Sequence, residues 1–135
     1  RRSSDLLAWL PPEELERLLA AGPLVALTPR TITDPDILRA ELAQVRARGY
    51  AIDRGETLPD VWCFGAPVRD AQGAVVAALS ISVPVTRIAS ERIDELIAAA
   101  RRAATELSLR LGYCDMVTAE GEAVIEDVQR RRVAP

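Results

Sequence analysis

The chain has 135 residues, of which 49% are apolar and 27% are charged, and its formal net charge is −3 at pH 7. This length fits one domain or part of one, and the composition is that of a globular protein rather than a disordered one. The acidic balance argues against a nucleic-acid surface, and no apolar run approaches the roughly 18 residues that a membrane span needs, so no membrane association is predicted.

The reactive side chains limit the chemistry that the chain can perform. It contains no histidine, which excludes Ser-His-Asp and Cys-His catalysis and most zinc sites. Its two cysteines, Cys63 and Cys114, are too few for a disulfide framework, so we expect reduced thiols and a cytoplasmic location. No cofactor and no metal are predicted. Because the single methionine is Met116, we expect that residue 1 is not a natural start.

Two helices are predicted in the first third of the chain. Residues 11–22, PPEELERLLAAG, have prolines in the first turn, glutamates at the positive end of the helix dipole and a closing glycine. A second helix is predicted to begin at Pro35, with Thr33 or Asp34 as its cap, and to end at Gly49. Its expected buried stripe consists of Ile37, Leu38, Leu42 and Val45. Residues 50–53, YAID, predict a short strand.

Residues 61–84, VWCFGAPVRDAQGAVVAALSISVP, predict a β-hairpin. Asp70 and Gly73 are the residue types preferred at the first and last positions of a turn. If Asp70 lies opposite Gly73, then Cys63 faces Ser80, Val61 faces Ser82 and Gly65 faces Ala78. Other expected pairs are Trp62 with Ile81, Phe64 with Leu79 and Val68 with Val75.

Strand alternation gives this hairpin two unlike faces. A bulky face of large apolar side chains is expected to pack against helices. The opposite face, here called the small-residue face, consists of small and partly polar residues that leave room above the backbone: Cys63, Gly65, Ala78, Ser80 and Ser82. A long helix over residues 90–112, capped by Ser90 and stopped by Gly112, carries an apolar stripe from Ile93 to Leu111 and is predicted to cover the bulky face.

Three motifs, in this order and spacing, resemble the effector-binding domain of IclR-type bacterial transcription regulators. They are Gly-Tyr-x-x-Asp at 49–53, Cys-x-x-Ala-Pro-Val at 63–68 and Ser-x-Ser at 80–82, and the resemblance runs from about Leu6 to Gly112. It implies an α/β (α+β) fold of the profilin- or GAF-like type, an antiparallel sheet flanked by helices. We expect residues 1–112 to be such a domain, incomplete at its N-terminal side. Residues 113–135 are expected to be a C-terminal tail, in which Val124, Ile125 and Val128 could form a short amphipathic helix.

The resemblance also implies a function in ligand sensing rather than in catalysis. Domains of this family bind a small organic effector, often a carboxylic or aromatic acid, and assemble into homodimers or homotetramers. They modulate DNA binding by a separate N-terminal helix-turn-helix domain, which this chain does not contain. The family's effector-binding residues map onto Asp53, Cys63, Ser80 and Ser82. Three of these four already share the small-residue face.

Other interpretations stay open. Each site residue has a structural alternative: Cys63 as a small buried hydrophobe, the serines as hydrogen-bonding strand residues, and Asp53 as an ordinary turn residue. An enzyme with Cys63 as nucleophile would need a base, and only Asp53 or Glu56 is near in sequence, so no enzyme is predicted. The alternative function is a degenerate oligomerisation or interaction module, whose exposed sheet edge pairs with another chain and whose ligand pocket is no longer used.

Overall fold

The structure is a computed structural model, and it describes residues 4–114. It consists of a three-stranded antiparallel sheet in the order β1-β2-β3 with helices on both faces, as predicted. In these residues no helix is both long enough and apolar enough to cross a membrane. The elements are α1 (Ser4–Leu7), α2 (Pro12–Ala20), α3 (Pro35–Arg48), β1 (Ala51–Arg54), β2 (Val61–Arg69), β3 (Val75–Pro84), two short 3₁₀ turns (Val85–Arg87 and Ser90–Arg92) and α4 (Ile93–Arg110).

The predicted start and end of α3 are both confirmed. The Asp34 carboxylate accepts hydrogen bonds from the backbone N–H groups of Asp36 and Ile37, at 2.7 and 3.2 Å, and Gly49 ends the helix with a φ of 77°. The prediction that Ile37 is buried was wrong, because 58% of it is exposed. Leu38, Leu42 and Val45 share one side of the helix, which faces the core. Because successive residues are about 100° apart around the helix axis, the side chain of Ile37 lies outside that side.

The hairpin is confirmed, but its predicted register was wrong. Cys63 lies opposite Ser82 rather than Ser80, and Gly65 lies opposite Ser80 rather than Ala78, so the pairing is displaced by two residues along β3. The large side chains are displaced in the same way, since Phe64 now faces Ile81. A displacement of two residues leaves the side chains of residues 61–68 and 77–84 on their predicted faces, whereas Val75, beyond the irregularity next to the turn, pairs with Arg69 instead of Val68.

Two extra residues in the second arm of the hairpin cause this displacement. Gly73 donates to the Asp70 carbonyl as expected for the turn, but Asp70 itself donates to Ala74, which makes Gly73, with a φ of 80°, an additional residue. A second irregularity lies between Val68 and Arg69. It leaves Val76 without a partner in the ladder, because Arg69 pairs with Val75 and Val68 pairs with Ala77.

The bulky face of the sheet packs against α4, as predicted. Ile52, Phe64 and Ala100 are buried there, with the following partly buried residues around them: Trp62, Ile81, Ile93, Leu96 and Ile97. Towards the end of α4 the predicted stripe was wrong, because Leu107 and Leu111 are 39% and 46% exposed. Ala100 and Ala104, which belong to the predicted stripe, are buried, and Ser108 continues their line in place of the two leucines. These small side chains allow close approach to the sheet.

Two further predictions concern the start of α4 and the C-terminal tail. Ser90 does not cap α4, because it lies in the 3₁₀ turn that precedes the helix and makes no capping hydrogen bond. The tail residues Val124, Ile125 and Val128 lie outside the described residues, so the proposed amphipathic helix stays a prediction.

A second core lies on the other side of the sheet, where α1, α2 and α3 pack together against β1. Its buried members are Ala8, Leu15, Leu38, Leu42, Val45 and Ala51. Ala51 pairs with Gly65 and therefore belongs to the same side of the sheet as the small-residue face. These helices thus cover the β1 end of that side, whereas Ser80 and Ser82 on β3 are exposed.

Candidate functional site

The structure places the four predicted site residues close together on one side of the sheet. Asp53 of β1 lies opposite Cys63 of β2, and Cys63 lies opposite Ser82 of β3, so these three form one row across the strands. Ser80 lies in the neighbouring row, opposite Gly65. Opposed residues of antiparallel strands have Cβ atoms about 4.5–5.5 Å apart on the same face. The arrangement therefore offers a carboxylate, a thiol and two hydroxyls on one surface.

The thiol and one hydroxyl of this row are in contact. The Cys63 Sγ and the Ser82 Oγ are 3.2 Å apart, and either group can donate the hydrogen bond. Cys63 is half-buried, whereas Ser80 and Ser82 are exposed. The serine hydroxyls can therefore reach a molecule above the sheet, either as donors or as acceptors.

Asp53 has a structural role at the end of β1. Its Oδ1 accepts a hydrogen bond of 2.6 Å from the backbone N–H of Glu56, which closes the turn after the strand. Asp53 is thus a strand residue whose side chain stabilises the following turn, and its role as a ligand contact stays a prediction. Burial raises the pKa of the nearby Glu56 carboxyl, and the negative charges of Asp53 and Glu41 raise this pKa further.

Two threonines hold the loop that follows Asp53. The Thr28 hydroxyl, which is buried, donates to the Gly55 carbonyl at 2.7 Å, and the Thr31 hydroxyl donates to the Glu56 carbonyl at 2.5 Å. Thr31 also accepts from the Thr28 backbone N–H at 3.0 Å. The connector between α2 and α3 thus fixes the edge of the site. Sequence reasoning missed this role because the contacts join segments that are far apart in the chain.

The sequence analysis also missed Asp5, which α1 places over the middle of the small-residue face. Asp5 is only 6% exposed. A Cβ atom added to Gly65 would lie 2.9 Å from the Asp5 Cβ, 3.0 Å from its Cγ and closer still to its Oδ2. The Asp5 side chain therefore fills the space that the missing side chain of Gly65 leaves open. No local pattern predicts α1 or this contact.

Several interactions hold the segment that carries Asp5 in place. Ala8 is fully buried in the second core, and its carbonyl accepts a hydrogen bond of 2.9 Å from the Arg46 guanidinium. The Arg69 guanidinium lies 4.5 Å from the centre of the Trp9 ring, at a distance that favours a cation–π interaction. The segment that follows Asp5 is therefore in contact with both α3 and β2.

Comparison with known proteins identifies the domain. The family model described as "Bacterial transcriptional regulator IclR C-terminal" matches residues 4–109. The chain belongs to the IclR family. It is similar to the HTH-type transcriptional regulator KdgR of Escherichia coli K12, with 39% identity over 110 residues, which are 82% of this chain and 42% of KdgR. The chain therefore spans less than half the length of this relative.

Solved structures of IclR-family proteins have the same fold. The repressor BlcR of Agobacterium tumefaciens is similar with a TM-score of 0.75 and 38% identity, over 83% of this chain and 45% of that protein. An IclR homologue from Microbacterium hydrocarbonoxydans, solved in complex with 4-hydroxybenzoate, has a TM-score of 0.70 and 30% identity, over 80% of this chain and 42% of that one. The relatives are described as transcriptional regulators, and the predicted family is confirmed.

Proposed function

We propose that this domain senses a small organic acid and that the bound acid modulates DNA binding by a helix-turn-helix domain elsewhere in the protein. The observation that carries the proposal is the placement of Asp53, Cys63 and Ser82 in one row, with Ser80 beside them, on the side of the sheet that is exposed at β3. The IclR homologue in complex with 4-hydroxybenzoate supports an acid as the ligand, because its fold is similar to this one.

The chemistry of the small-residue face suits a carboxylate at its β3 side. Ser80 and Ser82 are exposed, lie two residues apart on one strand and therefore direct their hydroxyls to the same side. Two hydroxyl donors aimed alike can bind the two oxygens of a carboxylate. Signalling then requires only that the acid binds one arrangement of the subunits more tightly than another, which involves no chemical step.

A thermal-shift titration with 4-hydroxybenzoate and other small carboxylic acids tests this function. An acid present at about 100 times its Kd should stabilise the folded chain by about 2.7 kcal/mol. Ser82→Ala should weaken the binding about tenfold, because one hydrogen bond to a charged group is lost. Ser90→Ala, at an exposed serine away from this face, is the control and should bind like the parent. A parent chain that no acid stabilises would contradict the proposal.

The alternative, an interaction module without a ligand pocket, is favoured by one observation. β3 is an outer strand of the sheet in the described part of the chain, and it runs for 10 residues. An unpaired strand edge of this length can pair with another chain. Light scattering coupled to gel filtration would test this alternative and, with it, the proposed homodimer or homotetramer. Concentration-dependent assembly without any response to acids would favour the interaction module.

The sensing proposal also includes a cytoplasmic location, because DNA is the expected target.

A further inference from the structure

The outer side of α4 carries two opposite charges two helical turns apart. The sheet covers the side of this helix that contains Ala100, Ala104 and Ser108. Glu95 and Arg102 are seven positions apart, so they lie within about 20° of each other around the helix axis, on the side away from the sheet. Both are exposed, and the Glu95 side chain is 74% exposed. An acid and a base therefore point away from the domain on one helix face.

Two small residues lie between these charges. Ala98 and Ala99 are partly exposed. An open hollow above them is bordered by the longer side chains of Arg92, Glu95 and Arg102. Small side chains in the middle of a helix face allow a second helix to approach to an axial distance of about 8 Å. This face is directed away from the sheet and shares no residue with the small-residue face, so the proposed ligand binding does not use it.

The face is complementary to itself when a second copy of α4 runs antiparallel to the first. If a two-fold axis passes between Ala98 and Ala99, Ala98 of each copy lies opposite Ala99 of the other. Glu95 of each copy then lies opposite Arg102 of the other, so the two-fold symmetry forms the same ion pair twice. A helix of another protein would need a matching order of charges, whereas a second copy of this chain already has it.

The nearest other charges lie at the flanks of this face. Arg92 Nε is 3.8 Å from Glu95 Oε2, and the two side chains are 59% and 74% exposed. An ion pair this long and exposed contributes little, so Glu95 can turn to a second copy at small cost. Asp94 and Arg101 each lie about 100° around the helix from the charge that follows them in the chain. Arg101 also has an interaction within its own chain.

One pair of like charges occurs further from the proposed axis. In the antiparallel arrangement Glu91 of one copy lies at the level of Glu106 of the other. The Glu106 Oε1 accepts a hydrogen bond of 2.6 Å from the Arg110 guanidinium, which compensates its charge. Packed helices also cross at an angle and diverge away from their closest point, so this pair is farther apart than the central one. The attraction at the centre therefore dominates.

We propose that α4 is a self-association surface, which binds α4 of a second copy of this chain in an antiparallel contact centred between Ala98 and Ala99. Two Glu95–Arg102 ion pairs hold this contact and determine its direction. A single helix pair is a small interface, so the dimer is weak and dissociates on dilution. The surface does not depend on the proposed ligand, and acid binding and self-association are tested separately.

Sedimentation velocity of the 135-residue chain over a range of concentrations at low salt measures the Kd of the dimer. Glu95→Arg and Arg102→Glu each place like charges at both symmetric positions and should raise the Kd about tenfold or more. The double variant exchanges the two charges and should restore the Kd of the parent. An equimolar mixture of the two single variants should form a heterodimer, because one chain then presents two bases and the other two acids.

Charge reversals on α2 are the matched controls. Glu13→Arg and Arg17→Glu change the net charge by the same amounts at exposed positions on the other side of the sheet, and they should keep the Kd of the parent. Far-UV circular dichroism checks that every variant is folded. A parent chain that stays monomeric at all concentrations would overturn the proposal. A dimer that both α4 reversals leave intact would also overturn it and would place the interface elsewhere, such as at the edge of β3.

Discussion

Replacing Gly65 by alanine tests whether Asp5 occupies the centre of the small-residue face. The backbone at Gly65 does not have a positive φ, so alanine is conformationally acceptable there and the effect is steric. The new methyl carbon would lie 2.9 Å from the Asp5 Cβ and 3.0 Å from its Cγ, whereas ordinary contacts begin at 3.4 Å. The whole Asp5 side chain must therefore move by about half an ångström or more, together with part of α1.

The magnitude follows from two opposed effects. Overpacking a well-filled site costs about 1–3 kcal/mol, whereas replacing glycine by alanine in a strand recovers about 0.5–1 kcal/mol of conformational entropy. We expect the steric effect to win, because the Cβ of Asp5 is attached to backbone that Ala8 and Arg46 hold in place. Gly65→Ala should lower the free energy of unfolding by about 1–2 kcal/mol.

Urea denaturation of the parent, Gly65→Ala, Asp5→Ala and the double variant measures this effect as a thermodynamic cycle. Asp5→Ala removes the Cγ and both oxygens, so the added methyl group then meets the Cβ alone. The double variant should consequently be about 1 kcal/mol more stable than the sum of the single effects. If Gly65→Ala is as stable as the parent, or if the two effects are additive, Asp5 does not lie over Gly65.

Two further substitutions test the buried hydrogen bond of Ser108 and the raised pKa of Glu56. Ser108→Ala should cost about 1–3 kcal/mol in urea denaturation, because the buried Ser108 hydroxyl accepts from the Arg69 backbone N–H at 2.9 Å, whereas Ser90→Ala at an exposed serine should cost little. Glu56→Gln should raise the midpoint of thermal unfolding at pH 7 and leave it unchanged near pH 4. The raised pKa of Glu56 means that the folded chain loses stability as this carboxyl ionises, from its ordinary value of 4.5 upwards. Equal midpoints of parent and Glu56→Gln at pH 7 would contradict the assigned cause, which is burial beside Asp53.

The elements of this fold are largely readable from local patterns, because caps and periodicity act over a few residues. Asp34 and Gly49 delimit α3 as their residue types predict, and the alternation of β2 and β3 separates a bulky from a small-residue face. The register between β2 and β3, in contrast, is not determined by local patterns. It depends on Gly73 and Val76, two additional residues whose positions follow from how the hairpin twists and packs against α4.

The error in register did not disturb the candidate site, and the reason is geometric. A displacement of one residue would have moved Ser80 and Ser82 to the face covered by α4, whereas a displacement of two returns them to the same side. Which residues share a face is therefore a more robust prediction than which residues oppose each other. The prediction that Cys63, Ser80 and Ser82 lie together depends only on the former, and this is why they still share a face. Asp53 was added by the family resemblance, and the strand pairing places it opposite Cys63.

Sequence reasoning could not supply the Asp5 side chain that covers Gly65 on the small-residue face. The Ser-x-Ser unit lies within one strand, so its two hydroxyls point the same way whatever the rest of the fold does. Asp5 reaches Gly65 only because Ala8 and Trp9 hold its segment against the second core and Arg69. The strand pattern alone shows where two hydroxyls point. The position of Asp5 over Gly65 depends instead on contacts of its segment with α3 and β2, which are distant in the chain.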